Sequence, residues 1–293
     1  MASVWHRSRT MGEAIRLTDG RTIGYAEYGN RDGQALFYFH GDPGSRLEAR
    51  FLARAAEDAG VRLLGVDRPG MGLSTYQPRR RLLDWPDDVA ELADRLSIER
   101  FSVVGVASGG PHAAACAYRI PGRLNACGLV SPLGPFGPAR ALLSRSIPWV
   151  VTPLTSRLFA DAERGQRRLR RLARGWVEPD RLVLDQPGVA ELMAAVLADA
   201  FRQGPRGPAR EGAIFGHPWG FSWRDIEMSE VYLWHGELDR SVPIGVARAV
   251  AAELPHCTAT YYPDEGHISL IVNRAGDLVA ALTGGGSHEG GAQ

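Results

Sequence analysis

Gly105-Val106-Ala107-Ser108-Gly109-Gly110 is the stretch that decides the fold. It ends an apolar strand-like run and precedes a helical segment, so it predicts a sharp strand-to-helix turn. Such a turn strains the backbone of its apical residue, and small residues two positions before and after the apex relieve the crowding. Glycines stand at both of these positions around Ala107 but at only one of them around Ser108. The register therefore predicts Ala107 at the apex.

Strand-like and helix-like segments alternate on both sides of this turn. Alternation of period two predicts an antiparallel strand at 22–28, and apolar runs predict strands at 35–40, 61–66, 101–106, 124–130, 231–235 and 258–262. Helical spacing predicts helices at 46–59, 84–97, 110–120 and 242–253, and after His267. Strands alternating with helices predict an α/β fold with a mostly parallel sheet.

The alternation breaks between its two halves. Residues 132–228 are rich in proline, helical stretches, arginine and aromatic side chains, and are predicted to be a helical cap. The core is then formed by residues 1–131 and 229–283. The glycine-rich tail at 284–293 is predicted to be disordered. An aromatic-rich cap suits a bulky apolar small-molecule substrate.

Composition narrows the function class. The 293 residues carry a formal net charge of +1, which gives no reason to expect nucleic acid or a membrane as a partner. All 34 basic residues are arginine, which suggests a GC-rich, bacterial genome. The three cysteines are widely spaced, so no disulfide framework, no zinc site and a reducing cytoplasm are predicted. No signal peptide or membrane span is predicted, and the protein is expected to be a monomer or homodimer.

Two further sites follow predicted strands. Asp239 lies in a loop directly after the strand at 231–235, and His267 follows the last strand, 28 residues later. A carboxylate in such a loop can orient a histidine and stabilise its imidazolium form. The histidine can then act as a general base beside the turn. No cofactor and no metal are implied.

With these sites identified, the chain resembles the α/β hydrolases, and in particular the branch with His-Gly-x-Pro-Gly after the third strand. That motif stands here as His40-Gly41-Asp42-Pro43-Gly44. The likeness continues through Asp67-Arg68-Pro69-Gly70-Met71-Gly72-Leu73-Ser74, the turn at Ala107 and the loops of Asp239 and His267. The resemblance implies an α/β-hydrolase fold with an eight-stranded, mostly parallel sheet and an inserted helical cap.

The resemblance also implies roles for single residues. Asp239 and His267 correspond to the acid and base of a catalytic triad, and the backbone amides of Asp42 and Ser108 to the oxyanion hole. His40, Gly41 and His112 are predicted at the substrate pocket, where His40 and His112 also suit ordinary packing roles. Two positions depart from the family: Ala107 stands where the serine nucleophile is expected, and position 42 is acidic.

Three interpretations of Ala107 remain open. In the first, alanine replaces a native serine by engineering. In the second, the serine is naturally absent, and in the third, Ser108 serves as a shifted nucleophile. The first makes the chain a disarmed ester, lactone or amide hydrolase of the Ser-His-Asp type. The second makes it a non-hydrolytic enzyme of proton transfer, lyase, cyclisation or carbon–carbon bond chemistry in natural-product metabolism, or a ligand-binding pseudoenzyme. Asp42 similarly either points away and offers only its amide, or points inward and contacts substrate.

Overall fold

An eight-stranded sheet forms the centre of the computed structural model, which describes residues 12–284. Its strands are β1 (Glu13–Arg16), β2 (Thr22–Gly29), β3 (Ala35–Phe39), β4 (Arg62–Val66), β5 (Phe101–Val106), β6 (Leu124–Val130), β7 (Val231–Gly236) and β8 (Thr258–Tyr262). Their order across the sheet is β1-β2-β4-β3-β5-β6-β7-β8. β2 is antiparallel to both of its neighbours, and all other pairs are parallel. The predicted eight-stranded, mostly parallel sheet is confirmed.

The central strands are buried on both faces of the sheet. In β3, Phe37 and Phe39 face one apolar cluster, whereas Leu36 and Tyr38 face the other, because successive side chains alternate across a sheet. This two-sided burial explains the continuous apolar runs of the sequence. The short edge strand β1 was not predicted, because three of its four residues are exposed and show no apolar pattern.

Helices cover both faces of the sheet, and further helices lie between β6 and β7. They are α1 (Ala53–Asp58), α2 (Trp85–Arg95), α3 (Gly109–Arg119), α4 (Pro138–Ser144), α5 (Ile147–Phe159), α6 (Ala162–Leu172), α7 (Glu178–Leu184), α8 (Val189–Ala200), α9 (Arg206–Ile214), α10 (Ile244–Glu253), α11 (His267–Asn273) and α12 (Ala275–Thr283). Short 3₁₀ helices lie at Arg46–Leu52, Leu82–Asp84, Pro121–Arg123, Ala173–Gly175 and Trp223–Asp225. Helices α2, α3 and α10 pack on one face of the sheet, and α1, α11 and α12 on the other. None of the helices within residues 12–284 is long and apolar enough to cross a membrane.

The helix predicted at 46–59 is divided in two. Its first half is the 3₁₀ helix Arg46–Leu52, and only the second half, α1, is α-helical. The 3₁₀ helix lies so close to β4 that a Cβ atom on Gly65 would stand 2.1 Å from the Arg46 carbonyl oxygen. The first half of the segment, which is wound as the tighter 3₁₀ helix, is therefore the half that packs closely against a glycine of the sheet.

Helices α4 to α9 lie between β6 and β7, in the interval predicted for the cap. The cap is attached to the core by partly buried hydrogen bonds and by close backbone packing. Arg46 Nη1 binds Asp199 of α8 at 2.5 Å, and Gln203 Nε2 donates to the Gly72 and Ser74 carbonyls at 2.8 Å each. Gly207 of α9 also packs against the backbone of Gly70. Of the tail predicted to be disordered, only its first residue lies within the described residues.

Candidate active site

The turn between β5 and α3 has the strained geometry that its glycines suggested. Ala107 has φ +49°, in the left-handed region that an L residue rarely adopts. A Cβ atom on Gly105 would stand 2.1 Å from the Gly109 carbonyl oxygen, and one on Gly109 would stand 2.1 Å from the Phe39 carbonyl oxygen. The turn therefore tolerates no side chain at either flanking position, and the structure places Ala107 at its apex.

Ser108 has right-handed helical backbone angles and directly precedes α3 as its N-cap residue. Its side chain is buried, and its Oγ accepts a hydrogen bond from Arg68 Nη2 at 3.2 Å. A hydroxyl group held by a buried guanidinium, one position after the apex, does not have the geometry of a shifted nucleophile. The structure therefore does not support that interpretation.

Asp239 and His267 form a close pair beside Ala107. Asp239 Oδ2 lies 2.6 Å from His267 Nδ1, and Asp239 Oδ1 accepts the amides of Ser241 and Val242 at 2.8 and 2.9 Å. Burial raises the pKa of Asp239, but the hydrogen bonds and the histidine charge outweigh it, so this pKa is lowered. Burial lowers the pKa of His267, but the hydrogen bond and charge of Asp239 outweigh it, so this pKa is raised. The pair can thus hold a proton taken from a reactant.

Two backbone amides are available beside the apex. Neither the Asp42 amide nor the Ser108 amide donates a hydrogen bond to another described residue. The loop that holds Asp42 is fixed from beneath. Arg68 donates to the carbonyl oxygens of His40 and Gly41, and Glu48 Oε1 accepts the Gly41 amide at 2.9 Å. Two fixed, unpaired amides are what an oxyanion hole requires.

A buried cluster of charges lies beneath this loop. Glu211 of cap helix α9 binds Arg68 through Oε1 at 2.7 Å and Arg80 through Oε2, and all three side chains are almost fully buried. Burial raises the pKa of Glu211, but the two guanidinium groups outweigh it and hold this pKa well below its usual range. Since Arg68 also holds the loop of Asp42, the cluster joins the cap to the side of the site that Asp42 occupies.

One cavity joins these features. It has a volume of about 570 Å³ and contains Asp42, Ala107, Ser108 and His267 in its wall. The remaining wall is mostly apolar and comes largely from the cap, with the residues Leu133, Phe136, Arg140, Leu143, Ser144, Ile147, Pro148, Gly212, Phe215, Ser241 and Val242. A cavity of this size and lining accommodates an apolar small molecule.

His40, Gly41 and His112 do not line the cavity, which corrects the expectation that they surround the substrate pocket. The rings of His40 and His112 are both fully buried, and neighbouring groups hold them in place. His40 Nδ1 lies 2.7 Å from the Gly41 carbonyl oxygen, and its Nε2 accepts the Arg68 amide at 3.2 Å. His112 Nδ1 lies 3.0 Å from the Ser108 carbonyl oxygen, and its Nε2 faces Glu211 at 3.5 Å. They support the loops of the site from below.

Three residues of the site surroundings were missed in the sequence: Arg80, Glu211 and Asp180. Arg80 and Glu211 stand among many other charged residues of the chain, and no local pattern distinguishes buried from exposed ones. Asp180 is 87 residues from its partner His267. Only the packing of the cap on the core brings them to the site. Within residues 12–284, no cluster of three or more potential metal ligands occurs.

Two known proteins are similar in sequence. The chain is 28% identical over 273 residues to the dihydrolipoyllysine-residue acetyltransferase component of an acetoin cleaving system from Cupriavidus necator, covering 90% of this chain. The chain spans 66% of that relative's length. It is 27% identical over 256 residues to a bifunctional esterase/perhydrolase from Acinetobacter calcoaceticus, covering 82% of this chain and 87% of the relative.

Solved structures share the fold at low sequence identity. A hydrolase from Pseudomonas aeruginosa superposes with a TM-score of 0.74 at 19% identity, covering 94% of this chain and 100% of the other. An esterase from Rhodococcus sp. superposes with a TM-score of 0.67 at 19% identity, covering 93% and 100%. A family model described as alpha/beta hydrolase fold matches residues 34–274, most of the chain. The chain belongs to the alpha/beta hydrolase fold family.

Proposed function

We propose that this chain hydrolyses an ester-type bond of a bulky apolar small molecule, using His267 as a general base and no acyl-serine intermediate. The esterase-type relatives support a hydrolase-fold enzyme at this general level. The observation that carries the proposal is the 2.6 Å pair of His267 Nδ1 and Asp239 Oδ2, in a cavity whose apical position holds Ala107. The base and its orienting acid are present, and only the attacking oxygen is missing.

Water supplies the attacking oxygen in this proposal. The substrate carbonyl oxygen accepts the amides of Asp42 and Ser108, and a water molecule occupies the space that a serine hydroxyl would fill. His267 Nε2 takes a proton from the water as its oxygen adds to the carbonyl carbon. The imidazolium, stabilised by Asp239, then gives that proton to the leaving oxygen as the carbon–oxygen bond breaks. A carboxylic acid and an alcohol are released.

Such a site is slow. Loss of the serine from a triad costs a factor of about 10⁶ in kcat, or ~8 kcal/mol of transition-state stabilisation. Binding and an oxyanion hole leave about 10³–10⁴ over the uncatalysed rate. We therefore expect weak but measurable hydrolysis by this chain.

The decisive experiment compares this chain with its Ala107→Ser variant on p-nitrophenyl esters of increasing acyl length. We expect kcat to rise by at least about 10³-fold in the variant, because serine restores covalent catalysis. The variant, but not the parent chain, is expected to react with a fluorophosphonate probe. In the parent chain, His267→Ala is expected to lower the weak hydrolysis to the level that binding and the oxyanion hole alone supply, because the general base is lost.

Two results would contradict the proposal. If the Ala107→Ser protein neither turns over esters nor takes up the probe, the site is not that of a hydrolase. If the parent chain hydrolyses esters equally well with and without His267, the base assignment is wrong. Asp185→Asn, an exposed position of the cap paired with Arg170, serves as the control for general effects of substitution.

A second candidate function is favoured by Asp42. Asp42 lines the same cavity, and its Oδ2 lies toward Gly212, another residue of the cavity wall. Asp42 is exposed to the open cavity, but the protein around its carboxyl group and the nearby Glu211 charge raise the pKa of Asp42, against the opposing effect of Arg68 and Arg80. A protonated acid and a histidine base in one cavity suit a non-hydrolytic proton transfer or elimination, with His267 removing a proton and Asp42 giving one.

Asp42→Asn distinguishes the two candidates. Asparagine keeps the backbone amide and the shape of the side chain but removes the titratable proton. Hydrolysis through the oxyanion hole is expected to proceed at the parent rate or faster, because a potential negative charge near the developing oxyanion is removed. An acid–base reaction that uses Asp42 as its acid is expected to lose most of its kcat.

A further inference from the structure

Helix α11 begins with His267, the proposed base, and the residue before it supplies no N-capping side chain. The residue before it, Gly266, has no side chain, so α11 needs acceptors from elsewhere for its first amides. Ser269 Oγ accepts the Gly266 amide at 2.8 Å. The amides of His267, Ile268 and Ser269 remain to be satisfied.

A single residue of the helical cap, Asp180, accepts hydrogen bonds from all three of these amides. Asp180 Oδ2 accepts the His267 amide at 3.1 Å, and Asp180 Oδ1 accepts the Ile268 and Ser269 amides at 2.9 Å each. Asp180 lies on α7, in the cap, and only 6% of it is exposed. The approach is so close that a Cβ atom on Gly266 would stand about 2.5 Å from this carboxylate. Glycine at 266 therefore provides the space that Asp180 occupies.

We propose that Asp180 is a positioning residue for His267, so that correct packing of the cap on the core and correct alignment of the base depend on each other. The proposal rests on the proposed function of His267 as the base. Asp239 fixes the ring of His267 through Nδ1, whereas Asp180 fixes the backbone from which that ring extends. Asp239 of the core thus holds the ring of His267, and Asp180 of the cap holds its backbone.

The charge of Asp180 has a second effect. Burial lowers the pKa of His267, and Asp239 raises it most strongly, with further contributions from Asp180 and Glu48. His235, the other histidine near this pair, has its own pKa lowered by burial. Substitution of Asp180 leaves Asp239, Glu48 and His235 in place. A change in the pKa of His267 in such a variant therefore reports on Asp180.

The test uses Asp180→Asn and Asp180→Ala in the full chain. Asparagine keeps one oxygen acceptor and removes the charge, whereas alanine removes both. The matched control is Asp185→Asn at the other end of α7, where the carboxylate is 71% exposed and binds Arg170 at 3.1 Å. NMR titration of the His267 ring needs no turnover, so it tests the proposal even if the chain hydrolyses nothing.

We expect both Asp180 variants to lower the pKa of the His267 ring and Asp185→Asn to leave it unchanged. In the Ala107→Ser background, we expect kcat for p-nitrophenyl butyrate to fall about 10- to 100-fold in Asp180→Ala, with KM within about twofold, because small displacements of a catalytic group cost rate rather than binding. Asp180→Asn is expected to lie between Asp180→Ala and the parent, and it keeps the test valid if Asp180→Ala does not fold. A folded Asp180→Ala protein with the parent's His267 titration and kcat would overturn the proposal.

Discussion

Replacement of Glu211 by glutamine is expected to destabilise the protein strongly. Among residues 12–284, Glu211 is the carboxylate that binds both Arg68 and Arg80, and the three side chains are between 0 and 1% exposed. Removing one partner of a buried ion pair leaves an uncompensated charge and costs about 3–5 kcal/mol. Here two guanidinium groups lose their counter-charge at once, which places the expected loss at the upper end of this range.

The melting temperature gives a second measure of the same loss. The entropy of unfolding is about 2.1 cal/mol/K per residue, so for a chain of this length ~3–5 kcal/mol corresponds to a fall of about 5–8 °C. We would measure urea unfolding by circular dichroism and extrapolate the free energy of unfolding to zero urea. Thermal unfolding of the same samples checks the size of the change.

Two further variants separate the ion cluster from general effects. Glu237→Gln removes a carboxylate that is 40% exposed and binds Arg248 at 3.3 Å, and we expect it to cost less than about 1 kcal/mol. The double variant Arg80→Met, Glu211→Gln leaves only Arg68 unpaired and is expected to recover part of the lost stability. A loss in Glu211→Gln no larger than that in Glu237→Gln would refute the reasoning, because the cluster would then contribute nothing to the fold.

Two other predictions concern the turn and the buried histidine. Gly105→Ala is expected to lower the free energy of unfolding by more than about 2 kcal/mol, because its Cβ atom would clash with the Gly109 carbonyl. The control is Gly122→Ala, whose Cβ atom would have nothing within 4 Å and which should change the free energy of unfolding by less than about 1 kcal/mol. Equal melting temperatures for the two variants would contradict this. Burial, with smaller effects from nearby charges, lowers the pKa of His112 to about 3, so below its ordinary pKa of 6.5 only the unfolded chain takes up the proton. His112 should therefore contribute a fall of about 2 kcal/mol in the free energy of unfolding between neutral pH and pH 5, in addition to the falls expected from His40 and His235, whose pKa values burial also lowers. His112→Gln should make the pH profile shallower by the share of His112, and parallel profiles would show that His112 is not responsible.

Local sequence determined the sheet and the turn. The apolar runs at β3 and β5 predicted buried strands, because a strand covered on both faces has no polar side. The glycines around Ala107 predicted the apex, because the clash that excludes a side chain at Gly105 lies within the turn itself. The edge strand β1 and the division of the helix at 46–59 were not predicted, because they depend on packing against the rest of the sheet.

The sequence by itself therefore determined that Ala107, Asp239 and His267 follow three parallel strands of one sheet, β5, β7 and β8, whose carboxyl ends meet at one edge. Only the tertiary structure decided what surrounds them. It placed the rings of His40 and His112 beneath the site rather than in the cavity. It also brought Asp180 of the cap to His267, and Glu211 of the cap to the side chain of Arg68. The physical reason is distance along the chain: buried ion pairs and helix caps between residues 87 or more positions apart have no local pattern, and arise only when the cap packs on the core.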